Sequence, residues 1–307
     1  MRNETSVTEF IPHGLLRHPE LRLASSLVFL FILFSLLGNM CIIAAVTRDS
    51  RLHTPMYFFL QNLSPSWDMC YTSVTIPKAL AKSLMGSNVI SFWECMAQLF
   101  LFLMLGASEC FLLTSMAYDR CLAIHRPLLY GIIMSRKLCV KLVAVAWLSG
   151  ALYSVFHTTN TFSLPFCGPN VVDHFFCDSS PLMRLSCSDF HTHEEVGFAV
   201  GGCIFVSAFG LTMASYVVII SAIAQIRSAG GRGKAFSTCS SHLTTVTLFY
   251  VTGNIAYLSP TSQDSPIQGR LLSVFYSIIT PSLNPLVYCL RNKDMQVALK
   301  KLLAPSN

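Results

Sequence analysis

Charge is what this sequence has least of. Asp, Glu, Lys and Arg make up 12% of its 307 residues, against 53% hydrophobic residues and a mean hydropathy of +0.55. Soluble domains carry about 25% charged residues, so half that proportion argues for a chain whose solvent is largely lipid. The charge is missing in blocks: 23–47, 142–172, 196–226, 235–263 and 271–290 hold none. A bilayer core is crossed by roughly 20 apolar residues in a helix, and each block is long enough. Two more apolar stretches, 56–80 and 96–118, each hold a single carboxylate, Asp68 and Glu109. The expectation is an all-α membrane protein with seven transmembrane helices. It forms one domain over 1–307, with an outer N-terminal segment (1–22), a helix bundle (23–290) and an inner tail (291–307).

Other absences narrow the function. No stretch interleaves clustered basic residues with aromatics, so nucleic acid is not an expected partner. No internal repeat is visible, which argues against a transporter built from paired halves. The first twenty residues hold three acids and no short apolar segment before a small-residue cleavage site. Residues 23–47 are therefore expected to act as an uncleaved signal anchor. No CxxC pair suggests a metal site, although "HTHEE" (191–195) and "HFFCD" (174–178) hold ligand-type side chains.

What is present gives orientation. Of the 21 Lys and Arg, 14 fall on one side of the seven spans and 7 on the other. The richer side is cytoplasmic, which places the N-terminus outside and the chain in the plasma membrane. "NET" at 3–5 then puts a glycosylation acceptor, Asn3, on the outer side. Four of the 12 cysteines, Cys95, Cys167, Cys177 and Cys187, fall on that side too. Four cysteines allow three pairings, and their spacing does not choose among them.

The motifs then assemble in order: "GN" (38–39), "LHTPMYFFL" (52–60), "SVTIPK" (73–78), "MAYDR" (116–120), "HFFCD" (174–178), "SY" (215–216), "KAFSTCSSHL" (234–243) and "PSLNPLVYCLRNKD" (281–294). With these, the chain resembles the odorant receptors, rhodopsin-like G protein-coupled receptors, over nearly its whole length. The resemblance implies a small odorant and a heterotrimeric G protein of the stimulatory, olfactory type as partners, and no cofactor beyond a sodium ion. It implies disulfides Cys95–Cys177 and Cys167–Cys187. For coupling and switching it implies Asp119, Arg120, Tyr216, Lys234, His242, Asn284, Pro285 and Tyr288. An arginine at a helix end pairs with the adjacent acid while the bundle is closed, and reaches a partner when it opens. Pro285 removes a helix hydrogen bond and permits a bend that swings Tyr288 toward Tyr216. After the seventh span, Met295, Ala298, Leu299, Leu302 and Leu303 recur at helical spacing beside lysines, the pattern of an amphipathic helix lying on the membrane.

The chain departs from the family pattern twice. "CLAIH" follows Arg120 where the family reads "YVAIC", leaving Cys121 in place of an aromatic. The second span holds one extra residue in "QNLSPSW", and a bulge near Ser64–Trp67 is expected to absorb it.

Asp68 and Glu109, with Asn39 and Asn284 as polar neighbours, have two readings: a sodium site, or carboxylic acids kept neutral and hydrogen-bonded by low dielectric. Counting helical turns from Arg120 and Tyr216 gives a ligand lining of Phe102, Leu103, Gly106, Val200, Gly201 and Ile204. Tyr250, Gly253, Asn254 and Tyr257 of the sixth span complete it. It is mostly apolar and holds no Asp or Lys, which favours a neutral alcohol, ketone, ester or terpenoid. The alternative keeps the fold as a non-olfactory sensor of a metabolite or lipid. "GASE" (106–109) resembles an intramembrane protease motif, but no oriented histidine base accompanies Ser108, so an enzyme is not expected.

Overall fold

A computed structural model describes residues 9–12, 19–63, 90–167, 171–172, 177–258, 283, 287 and 293–303. Its long helices are α1 (Pro19–Arg48), α3 (Phe92–His125), α5 (Arg136–Phe162), α7 (His191–Gln225) and α8 (Ala229–Leu258). Residues 55–63 are also helical (α2), and the shorter helices are α4 (Pro127–Ile133), α6 (Ser179–Met183) and α9 (Lys293–Leu303). Among the described residues, α3, α5 and α7 are long and apolar enough to cross a membrane. With no water to bind backbone groups, a chain in lipid satisfies them within each helix. The exposed side chains fit that solvent: Leu148, Leu152 and Val155 on α5, and Val206, Leu211, Val217 and Ile220 on α7.

Helix ends follow local chemistry. Before α3, Ser91 and Glu94 form a reciprocal capping box, the Ser91 N–H donating to Glu94 Oε2 (3.1 Å) and the Glu94 N–H to Ser91 Oγ (3.3 Å). At 34 residues α3 is about 51 Å long, far more than a hydrocarbon core of about 30 Å. Its end meets Pro127, which opens α4 at a position where a missing N–H costs nothing. The charge-free block 142–172 holds the expected span, and α5 ends within it, at Phe162. Pro165 is the reason, since it disfavours helical backbone at the residue before it. Phe166 instead bridges to Ser186.

The chain divides into two compact units. The first comprises 1–30, 69–108 and 147–205. Its core is Ile90, Cys95, Leu99, Phe166, Cys177 and Leu182, with Leu103 and the edge-on rings of Phe92 and Phe162 packed against it. Disulfides join Cys95 to Cys177 and Cys167 to Cys187, each with Cα atoms 5.5 Å apart. An all-α reading misses a small sheet here, of order β2-β1-β3. Strand β1 (Glu9–Pro12) pairs antiparallel with β2 (Ile90–Ser91) and parallel with β3 (Val171–Val172). In the same unit α5 meets α3 through Gly150, where a Cβ would overlap Ser108 Oγ and stand 2.6 Å from the Met104 carbonyl oxygen. Ser154 Oγ donates to the Phe100 carbonyl one turn on.

The second unit comprises 31–68, 109–146 and 206–307. In it α9 packs on the 3-10 turn Ser50–Leu52, with Leu52, Met295 and Ala298 buried. Asp49 and Arg51 form an ion pair in that turn. Hydrogen bonds from the Arg51 side chain and backbone hold the Asp49 carboxyl well below the usual carboxylate range, with a smaller contribution from Lys301 of α9.

Gly150→Leu forces a side chain into the α3 backbone, an overpacking that costs about 1–3 kcal/mol or more. We expect surface staining of epitope-tagged Gly150→Leu to fall to a small fraction of the unsubstituted level. Gly131→Ala, where a Cβ meets nothing within 4 Å, should remain unchanged.

Candidate functional site

The end of α3 and the short α4 build one polar node. Asp119 is fully buried and Arg120 nearly so. Both Nε (2.9 Å) and Nη2 of Arg120 donate to Asp119 Oδ2. Because Pro127 restarts the helix, α4 brings Tyr130 back to Asp119, and its hydroxyl donates to Oδ1 at 2.7 Å. Both carboxylate oxygens are thus engaged and the guanidinium is neutralised by its neighbour. Burial, and then the Asp119 charge, push the Tyr130 phenol well above its usual range, so it stays a donor at any physiological pH. On the same short helix Leu128 and Ile132 are 94% and 75% exposed.

Two further contacts join helices of the second unit. Tyr216 of α7 and His242 of α8 share a hydrogen bond of 2.7 Å between the hydroxyl and Nδ1, both side chains being buried. His242 Nε2 has no hydrogen-bond partner among the described residues. Two turns further along α8, the Tyr250 hydroxyl shares a hydrogen bond with Cys110 Sγ of α3 (3.4 Å), and its ring packs on Phe209 of α7. Thr114 of α3 meets Thr212 of α7 at 3.1 Å.

The expected ligand lining falls in both units. In the first, Phe102 is buried, Leu103 belongs to the core cluster, and Gly106 and Val200 are half-buried. Half-buried Gly201 faces the Tyr153 hydroxyl and the His157 ring, and Ile204 lies one turn on. In the second, Tyr250 is buried, Gly253 is half-buried, and Asn254 Nδ2 donates to the Tyr250 carbonyl at 2.7 Å. Tyr257 and Lys234 lie on α8. Of the sodium set, Glu109 and Asn39 are buried, and Asn39 Nδ2 donates to the Ser35 carbonyl at 3.0 Å. No group of three or more His, Cys, Asp or Glu among the described residues is arranged to hold a metal. Asn3, Asp68, Asn284, Pro285, Tyr288 and the expected bulge at 64–67 lie outside the described residues.

The family model for "Olfactory receptor" matches residues 27–305. The chain is 49% identical to olfactory receptor 8U9 of Mus musculus over 306 residues, 99% of this chain and 97% of the relative. It is 47% identical to olfactory receptor 8U1 of Homo sapiens, covering 99% of both. It is 48% identical to olfactory receptor 5AR1 of Mus musculus, covering 98% of this chain and 97% of the relative. The chain belongs to the olfactory receptor family. It is therefore a G protein-coupled receptor of the plasma membrane and not an enzyme. Ser108 of "GASE" has a packing role in this receptor: its hydroxyl donates to the Met104 carbonyl at 2.7 Å, opposite Gly150.

The sequence reading of the receptor missed Tyr130, Cys110, Phe209, Thr114 and Thr212. For Tyr130 a signal exists: "RPLLY" starts a helix with proline and puts the tyrosine one turn inside it. The others are ordinary span residues whose partners are distant in sequence. Removing the Tyr130 hydroxyl leaves Asp119 one donor short, a loss of about 1.5–3 kcal/mol for a bond to a charged group. If the closed node holds the receptor silent, Tyr130→Phe raises basal G protein nucleotide exchange by roughly tenfold at matched surface expression. An unchanged basal rate would mean that the bond does not restrain the switch.

Proposed function

We propose that this olfactory receptor binds a small, neutral, mostly apolar volatile within its helix bundle and activates a stimulatory, olfactory-type G protein, raising cyclic AMP. In this reading the N-terminus is outside and α4 and α9 face the cytoplasm. The observation that carries it is the closed Asp119–Arg120–Tyr130 node. A buried arginine whose charge is met by its own neighbour costs little at rest, and becomes a strong donor to an inserted partner helix once the node opens. Leu128 and Ile132, exposed beside it, offer that partner an apolar contact. Tyr216 and His242, bonded across α7 and α8, are the second contact that an outward movement of α8 breaks.

On the ligand side, the absence of formal charge among Phe102, Leu103, Gly106, Val200, Gly201, Ile204, Tyr250, Gly253 and Asn254 supports a neutral ligand. The buried Glu109 carboxylate and Asn39 amide are the oxygen ligands that a sodium ion takes, with Asp68 and Asn284 completing the set. Sodium in this role offsets carboxylate charge in low dielectric and weights the closed state.

The test is cyclic AMP production in cells expressing the receptor with a stimulatory olfactory-type G protein, screened against neutral volatiles. Arg120→Ala, at equal surface density, is expected to abolish the response. A response of the same size in that variant would overturn the assignment of Arg120.

A further inference from the structure

The ring that Gly201 faces carries a polar atom with no assigned role. His157 of α5 is only 6% exposed, and its Nε2 has no hydrogen-bond partner among the described residues. The ring is fixed in place, with Tyr153 at 4.2 Å and Phe156 edge-on at 5.2 Å between centroids. Its open edge faces two glycines of α7. A Cβ at Gly197 would stand 3.6 Å from Cε1 and Nδ1, and one at Gly201 would stand 3.9 Å from Cε1 and Nε2. The two glycines, four residues apart on one face, thus leave a shallow notch beside the imidazole, with the Asn160 amide nitrogen 3.5 Å from a Cβ at Gly197 and the Tyr153 hydroxyl 3.2 Å from one at Gly201. The buried Thr158 hydroxyl, which also has no partner among the described residues, sits about 100° around α5 and does not converge on this notch.

An unsatisfied polar atom in such a place is destabilising. A packed apolar ring at position 157 would avoid that cost. Tyr153, Phe156, Asn160, Gly197 and Gly201, the described residues against the ring, carry no formal charge, which suits a neutral ligand.

We propose that His157 is the specificity-determining hydrogen-bond partner of this receptor's ligand. It engages the oxygen of a ketone, ester or alcohol, whose adjoining carbon enters the notch beside Gly197 and Gly201. The proposal rests on the reading that the receptor binds a neutral volatile within its bundle, and adds which atom recognises it and by what functional group. A neutral imidazole holds one N–H and one lone pair, so Nε2 serves a carbonyl as donor or a hydroxyl as acceptor according to tautomer.

The test pairs two readouts on the full-length receptor. The probes are medium-chain and terpenoid ketones, esters and alcohols, each matched with the hydrocarbon of the same skeleton. In cells, the half-maximal concentration for the active oxygenated probes should rise about tenfold in His157→Phe and His157→Ala, the loss of one good hydrogen bond. His157→Gln, whose amide nitrogen reaches a similar place, should recover part of it, and responses to the hydrocarbons should not change. With purified receptor in lipid discs, the oxygenated probes should raise the unfolding temperature of the unsubstituted chain and not that of His157→Phe. Without probe, His157→Phe should unfold at the same temperature or higher.

Unchanged dose–response curves in both variants at equal surface density would overturn the proposal. So would a His157→Phe receptor that is less stable without probe and is not rescued by glutamine, which would mark His157 as structural. So would the lack of any probe-induced thermal shift in the unsubstituted chain. Silence in the cyclic AMP assay together with a thermal shift that depends on His157 would remove the coupling assignment and leave His157 standing.

Discussion

In a medium without water, every polar group must find its partner inside the chain, and the helices of this receptor answer that constraint in one repeated way. Hydroxyls and amides fold back onto the carbonyl one turn earlier: Thr47 to Ile43, Ser115 to Phe111, Thr159 to Val155, Ser215 to Leu211, Ser221 to Val217 and Thr247 to Leu243. Each of these side chains is thereby made indifferent to its neighbours, which lets helices carry serine and threonine without specifying a partner. Against this background, other polar groups among the described residues reach across to another helix. They include Thr114 with Thr212, Tyr250 with Cys110, and Tyr216 with His242. The side chains that bond across are the ones whose partners must separate if the helices move.

The Asp119 node shows the same economy with charge. Charge-assisted bonds are about twice as strong as neutral ones, and here three converge on one carboxylate. Two come from the adjacent residue and survive any rigid movement of α3. The third comes from α4, a separate element, and is the one that a change of loop position can break. A small shift of a short helix can therefore alter the balance at a buried charge while the α3 backbone stays as it is.

Much of this was legible in the sequence, for reasons that also mark where legibility ended. Lipid excludes charge, so the charge-free blocks located α1, α5, α7 and α8, and the stretch 96–118, with its single carboxylate, located α3. The charge-free block 142–172 runs past the end of α5 because charge does not mark that end, while Pro165 does. The sheet escaped because strands of two to four residues have no periodicity to read. Arg120 and Asp119 were visible as neighbours in a motif, and Tyr216 and His242 as members of two. Their partners depend on the relative register of helices, and so did the contacts of Thr114 and Cys110, whose partners lie 98 and 140 positions away. The choice among three cysteine pairings has the same character: the structure makes it by bringing Cys177 beside Cys95 at the head of α3.

Strand β1 holds the middle of its sheet, with one neighbour from just before α3 and the other from between α5 and α6. Synthesis runs from the N-terminus, so Ile11 is made long before Val171, its partner 160 positions on. Until then the strand has only one edge to pair, and before β2 is made it has none. Contacts so distant in sequence form late, because the intervening chain must first be confined. Insertion of the first spans thus proceeds with residues 9–12 unpaired, and those residues, among the earliest made, are among the last to reach their place.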